Sequence, residues 1–179
     1  YTVTVTDANM QTATQTFTVN EPATAVGVTI TPTNVSCNGA GDGAAMANPT
    51  GGTAGYTYLW SVGGQTTQSI TGLPMGNVCV TVTDANMCEA DVCITITEPA
   101  AVTVSTSATT SNCTTPTGSI TATAGGGSGS GYMYSWNTTP VQTTPIATNL
   151  APGNYCVTVT DGDGCTETAC DNVNTATGP

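Results

Sequence analysis

Residues 78–100 read VCVTVTDANMCEADVCITITEPA, and two other stretches carry the same pattern: YTVTVTDANMQTATQTFTVNEPA over 1–23 and YCVTVTDGDGCTETACDNVNTA over 155–176. In the middle copy Val78, Val80 and Val82 alternate with Cys79, Thr81 and Thr83. A period of two sends successive side chains to opposite faces of a strand, so the aliphatic row is the core face and the Cys/Thr row faces outward. Asp-Ala-Asn punctuates each run with turn-forming residues, and a second alternating run follows it. Each copy therefore reads as a β-hairpin.

Asp7, Asp84 and Asp161 stand 77 residues apart, and the match continues upstream. YTYLW at 56–60 answers YMYSW at 132–136, LPMGN at 73–77 answers LAPGN at 150–154, and the SCNG around Cys37 answers the NCTT around Cys113. A period of this length is one small domain per repeat. Residues 1–22 read as the C-terminal hairpin of a preceding repeat, 23–99 as a complete repeat and 100–179 as a second. The boundaries fall at Glu21-Pro22 and Glu98-Pro99, where proline removes a ladder donor and holds its predecessor extended. Opening in mid-strand at Tyr1, the chain reads as a segment of something longer. Short strands, Gly/Pro/Asn turns and no helical periodicity predict an all-β fold of tandem immunoglobulin-like antiparallel β-sandwich domains.

Composition narrows function sharply. The 179 residues contain no Lys, Arg or His against 11 Asp and Glu, for a formal charge of −11. Only 6% are charged, where about a quarter is usual. Nothing here neutralises phosphate, which excludes nucleic acid and disfavours anionic membranes. Apolar runs of a few residues are too short to insert in a bilayer as a helix. Without His or Lys the common activated nucleophiles cannot be built, and the carboxylates are scattered at turns rather than paired across a cleft. The reading is a non-enzyme without a cofactor.

Eight cysteines fall four to a repeat: Cys37, Cys79, Cys88 and Cys93, then Cys113, Cys156, Cys165 and Cys170. Folding the middle hairpin about Asn86 sets Cys79 opposite Cys93 on the outward face. That leaves Cys37 for Cys88, and by the same rule Cys156 pairs with Cys170 and Cys113 with Cys165. Four cysteines allow three connectivities, so sequence alone does not close the question. A four-cysteine zinc site is the rival, but no CxxC pair is present. As disulfides the bridges compensate for the thin core of a small domain and imply an oxidising compartment.

The run SCNGAGDGAA … GGTAGYTYLW … QTTQSITGLPMGN … VTVTDANMC … ITITEPA resembles the SprB-type repeat of Bacteroidota cell-surface, gliding-type adhesins, in the style of immunoglobulin and polycystic-kidney-disease-type modules. The resemblance implies a long extracellular or cell-surface bacterial protein. The family carries Gly where Met10 and Met87 stand, and its basic motif does not require the Cys79–Cys93 pair.

Three further features invite a site. Asp161 and Asp163 look like part of a calcium loop, yet one hairpin tip supplies too few oxygens, and turn chemistry accounts for them. Tyr58, Trp60, Tyr134 and Trp136 are the bulkiest residues available to fill the core, against the alternative of a sugar-stacking platform. Asn34, Asn112 and Asn137 begin Asn-X-Ser/Thr patterns, and the Thr rows suit a strand surface or carry glycans. Taken together, the expected function is a structural stalk or filament segment of a long secreted adhesin. A glycan- or protein-binding module and a self-assembling extracellular fibre are the alternatives. Expected partners are neighbouring repeats of the same chain, other copies, and a glycan or surface ligand.

Overall fold

The computed structural model describes residues 1–20, 24–112 and 114–176. Among these residues the chain forms fourteen strands and no helix. β1 (Thr2–Thr6) and β2 (Thr12–Thr16) make a hairpin. A first set of six follows: β3 (Gly27–Thr33), β4 (Gly43–Thr50), β5 (Thr57–Trp60), β6 (Ser69–Leu73), β7 (Gly76–Thr83) and β8 (Glu89–Ile96). A second set repeats it: β9 (Ala100–Ala108), β10 (Gly118–Gly127), β11 (Met133–Trp136), β12 (Ile146–Leu150), β13 (Gly153–Thr160) and β14 (Thr166–Val173). Each set forms two three-stranded sheets, β3-β4-β6 and β5-β7-β8, then β9-β10-β12 and β11-β13-β14. In each set the chain lays two strands in the first sheet, crosses to the second, returns, and crosses again for its closing hairpin, as in an immunoglobulin-like sandwich.

Burial follows the period-two pattern. Val78, Val80 and Val82 of β7 are buried, while Cys79, Thr81 and Thr83 between them are only half-buried. Ala45 and Ala47 of β4, Trp60 of β5 and Ile70 and Leu73 of β6 bury in the same set. The second set has one packed cluster drawn from both of its sheets: Val102, Ile120, Ala122, Trp136, Ala147, Leu150, Val157, Val159, Cys165 and Val173. Tyr134 packs against that cluster half-buried, and Tyr58 is half-buried in the first set. Trp60 donates Nε1–H to the Thr67 carbonyl at 2.8 Å and Trp136 to the Thr144 carbonyl at 2.9 Å, so neither indole leaves a polar atom unpaired in the interior.

Two compact units gather these elements. One comprises Tyr1–Ile30, Ala47–Gln68 and Cys79–Cys93. The other comprises Thr31–Met46, Ser69–Val78 and Ile94–Pro179.

The hairpins share a register. Cys156 lies opposite Cys170, and Thr2 lies opposite Thr16 at the same position of the first hairpin. Disulfides join Cys79 to Cys93 and Cys156 to Cys170 with Cα atoms 4.0 Å apart, the close spacing of a non-hydrogen-bonded antiparallel pair. In the first hairpin a hydroxyl–hydroxyl hydrogen bond of 3.2 Å between Thr2 and Thr16 takes that place.

The hairpin tip is a three-residue loop. Met87 N–H donates to the Asp84 carbonyl at 3.0 Å and Asp84 N–H to the Cys88 carbonyl at 2.9 Å. This is a type I turn followed by one left-handed residue, a loop that needs no Asn-Gly pair. The left-handed position falls on Met10 (φ 64°), Met87 (φ 66°) and, in the last hairpin, Gly164 (φ 89°). A side chain there costs about 1 kcal/mol relative to glycine, and Met87 is 81% exposed, so it recovers little by packing. Met87→Gly is expected to raise stability by about 1 kcal/mol, read as a higher urea midpoint with an unchanged m-value.

Candidate functional site

The chemistry of the chain concentrates at the hairpin tips and at the loop that carries Cys37. Asp84 is buried. Its Oδ1 accepts the N–H groups of Asn86 (2.8 Å) and Cys88 (2.9 Å), and its Oδ2 accepts that of Thr53 (2.8 Å). Asp161 repeats this with Asp163 (3.0 Å), Cys165 (2.8 Å) and Ser128 (2.8 Å). Asp7 makes the first two bonds, to Asn9 and Gln11. One carboxylate thus closes its own turn and ties it to the chain just beyond the strand that precedes Thr53 or Ser128.

That approach dictates the glycines before Thr53 and Ser128. Gly52 (φ 61°) and Gly127 (φ 57°) are left-handed, and a Cβ on Gly127 would come within 2.2 Å of Asp161 Oδ2. Of the two calcium candidates, Asp161 receives backbone N–H donors on its oxygens, while Asp163 contributes its own N–H to that turn and is exposed. Among the described residues no group of three or more His, Cys, Asp or Glu is placed to hold a metal ion.

The loop between β3 and β4 is braced at both ends. Asp42 accepts from the backbone and the hydroxyl of Ser36, and Ala40 N–H donates to the Cys37 carbonyl at 3.0 Å. Glu98 holds the middle: Oε1 accepts from Asn38 Nδ2 and Oε2 from Gly39 N–H, both at 2.9 Å. Val35 N–H donates to the Thr97 carbonyl at 2.9 Å. The loop is therefore anchored at the far end of β8, where the chain passes through Pro99 into β9.

This anchoring corrects two expected pairings, Cys37–Cys88 and Cys113–Cys165. Cys37 is bridged to Cys165 of the following sequence repeat, with Cα atoms 5.6 Å apart at a sequence separation of 128, rather than to Cys88. Cys88 is exposed and carries no bridge. The expected partner of Cys165, Cys113, lies outside the described residues, and its pairing with Cys165 is displaced by Cys37. The reason is the length of a strand. Cys37 sits by Glu98, whereas Cys88 precedes β8 at its other end, eight strand residues or roughly 26 Å away. The hairpin tip of the next repeat is the one at hand. Cys37 packs half-buried against the core cluster that includes Val102 and Cys165, and a shallow groove beside it is lined by Asn34, Ser36, Glu98 and Asp163.

Sequence reasoning missed Glu98, Ser36 and Asp42. In the sequence Glu98 stood out as the residue before a boundary proline, with no sign of the loop it holds. Its counterpart Glu21 lies outside the described residues.

Known structures of similar architecture include the three N-terminal domains of the Highly Immunogenic Outer Capsid protein of bacteriophage RB49. The match has 21% identity and a TM-score of 0.51, and covers 84% of this chain and 59% of that one. The amphioxus IgVJ-C2 molecule aligns with 14% identity and a TM-score of 0.33, over 81% of this chain and 96% of its own. The N-terminal eight Ig domains of Down Syndrome Cell Adhesion Molecule align with 9% identity and a TM-score of 0.38, over 86% and 25%. Curated proteins gave no significant match.

Strand order, burial and the repeated hairpin define the class: an all-β protein of immunoglobulin-like repeats. Within that class, residues 29–65 match the family model of the SprB repeat. The three disulfides among the described residues fit an oxidising environment, as an extracellular adhesin-type repeat would meet.

Two outcomes follow from the geometry. The N–H of Thr53, then that of Cys88, hold the Asp84 carboxyl below its ordinary value of 3.8, and the N–H of Ser128 does so first for Asp161. The native state therefore binds fewer protons than the unfolded chain near that value. The stability these groups contribute is complete above the unfolded value and is lost as pH falls through the lower native one. Melting temperature followed by circular dichroism is expected to stay level from pH 7 to about 5 and to fall below about 4. Asp84→Asn with Asp161→Asn is expected to lower it at neutral pH and flatten the acid decline. Separately, Glu98→Ala is expected to speed dithiothreitol reduction of Cys37–Cys165 while leaving Cys79–Cys93 unchanged, read by timed alkylation and mass spectrometry.

Proposed function

We propose that this chain is a stretch of stalk or filament in a long bacterial surface adhesin, a spacer that carries tension rather than a catalyst. The observation that supports this is the Cys37–Cys165 bridge, which passes from one sequence repeat into the next. In a chain of such repeats an applied pull is borne partly by covalent bonds instead of by sheet edges alone. In the loop-entropy account a bridge enclosing 128 residues contributes roughly 5 kcal/mol and one enclosing 14 about 3 kcal/mol.

The partners of this reading are neighbouring repeats of the same polypeptide. Val3 and Val5 of the first hairpin stand where Val80 and Val82 stand in the next, yet are 49% and 63% exposed while the latter are buried. They suit the core face of a repeat that ends at this hairpin. The same exposed face favours the second reading, a self-assembling fibre in which another copy covers it. A stacking platform for sugars is not favoured, because Trp60 and Trp136 are each only 1% exposed.

Electron microscopy of the native material separates the readings. Single-chain rods beaded at one repeat per bead support the stalk, and subunits interlocked through the first hairpin support the fibre. In small-angle scattering, Cys37→Ser with Cys165→Ser is expected to broaden the distance distribution of the rod. An unchanged distribution would remove the bridge from the stalk argument.

A further inference from the structure

Cys88 holds in the middle repeat the position that Cys165 holds in the last, 77 residues on. The surroundings repeat as well. Cys165 lies beside Ala101, Val102 and Gly164, with Cys37 and Asn38 of the preceding repeat's loop against it. Cys88 lies beside Ala25, Val26, Gly52 and Asp84. Ala25 and Val26 correspond to Ala101 and Val102: a Cβ on Gly51 would meet the Ala25 carbonyl and one on Gly52 the Val26 side chain, just as Gly126 meets Ala101 and Gly127 meets Val102. The backbone at the cysteine is held alike, by Asp84 at 2.9 Å and by Asp161 at 2.8 Å. What differs is the thiol. Cys165 is bridged and buried; Cys88 is unbridged and exposed.

We propose that Cys88 is a cross-linking site that takes a disulfide from the loop cysteine, equivalent to Cys37, of a preceding SprB-type repeat in the same polypeptide. A solitary thiol would say nothing of this. The same residue one repeat on, seated in the same surroundings and already joined to a loop cysteine, identifies the partner. The rule is loop to tip: the loop cysteine of each repeat bonds the hairpin-tip cysteine of the next. Gln11 occupies the corresponding place in the first hairpin and cannot take such a bond, so Cys88 is the first rung of the ladder within this sequence. The proposal rests on the tandem-stalk reading.

The bond forms by thiol–disulfide exchange. The Cys88 thiolate attacks the disulfide of an oxidised dithiol oxidoreductase or of oxidised glutathione and releases one thiol. The loop-cysteine thiolate then attacks the Cys88 sulfur of the mixed disulfide and releases the second. Two protein thiols lose two protons and two electrons, and the oxidant's one disulfide becomes two thiols.

Disulfide mapping of the native full polypeptide tests this. The protein is alkylated with iodoacetamide without reductant, digested with pepsin and chymotrypsin, since trypsin has no site in this segment, and analysed by mass spectrometry. Expected is a Cys88 peptide that escapes alkylation and is linked to a loop peptide from a repeat upstream of Tyr1. Alkylated Cys88 in the unreduced sample, or Cys88 joined to Cys37, to glutathione or to Cys113 of a second copy, overturns the proposal. An extended chain, with residues 23–99 placed once more ahead of residues 23–179, gives a second readout. There the added copy of Cys37 is expected to bond the native Cys88, and a bond within one copy overturns the rule. Rods in the microscope with an alkylated Cys88 would sink the cross-link and leave the stalk reading standing.

Discussion

One buried carboxylate at the tip of the β7–β8 hairpin, and one at the tip of the β13–β14 hairpin, holds the end of its sheet in place. Asp84 and Asp161 each accept three backbone N–H groups, two from their own turn and one from a strand end some thirty residues earlier, at Thr53 or Ser128. A charge taken out of water is tolerable when its lone pairs are met by donors. Here the donors are groups that the chain must satisfy in any case. The consequences spread outward. That strand end must come close, so its glycines cannot carry a side chain; the tip must be a fixed three-residue loop; and the tip cysteine is held by its own backbone N–H in a defined position.

From that position the disulfides acquire their roles. Cys79–Cys93 and Cys156–Cys170 each staple the two strands of a single hairpin on the outward face, beside cross-strand bonds from the threonine hydroxyls. Cys37–Cys165 does something different, because the loop that presents Cys37 is anchored to Glu98, just past the end of β8. A chain with no lysine or arginine cannot blunt its sheet edges or brace its junctions with cation–carboxylate pairs. Threonine hydroxyls, Asn and Gln amides and covalent bonds take over that work, and none of them is screened by salt in the way ion pairs are.

Much of this was legible in the linear chain. Valine alternation gave the strands and their buried face, the 77-residue recurrence of Asp7, Asp84 and Asp161 gave the repeat, and the mirror position of Cys79 and Cys93 about Asn86 gave their register. These are local features, carried by residues within one hairpin, where a period of two and a tight turn leave almost no geometric freedom. The left-handed conformation of Met87 was less accessible, because methionine disguises a position that glycine would have announced and that Gly164 marks one repeat later.

The partner of Cys37 was beyond reach of the same reasoning. Matching it with Cys88 treated each repeat as closed on itself, and spacing alone offers no objection. The objection is spatial: the Cys37 loop docks on Glu98 at one end of β8, and Cys88 lies at the other. Sequence by itself therefore determined the strands, the repeat, the outward-facing staples and the absence of any basic chemistry, since each depends on neighbours a few residues apart or on composition. Only the tertiary structure decided which cysteine meets which across repeats, because that depends on which end of a strand a distant loop is fastened to.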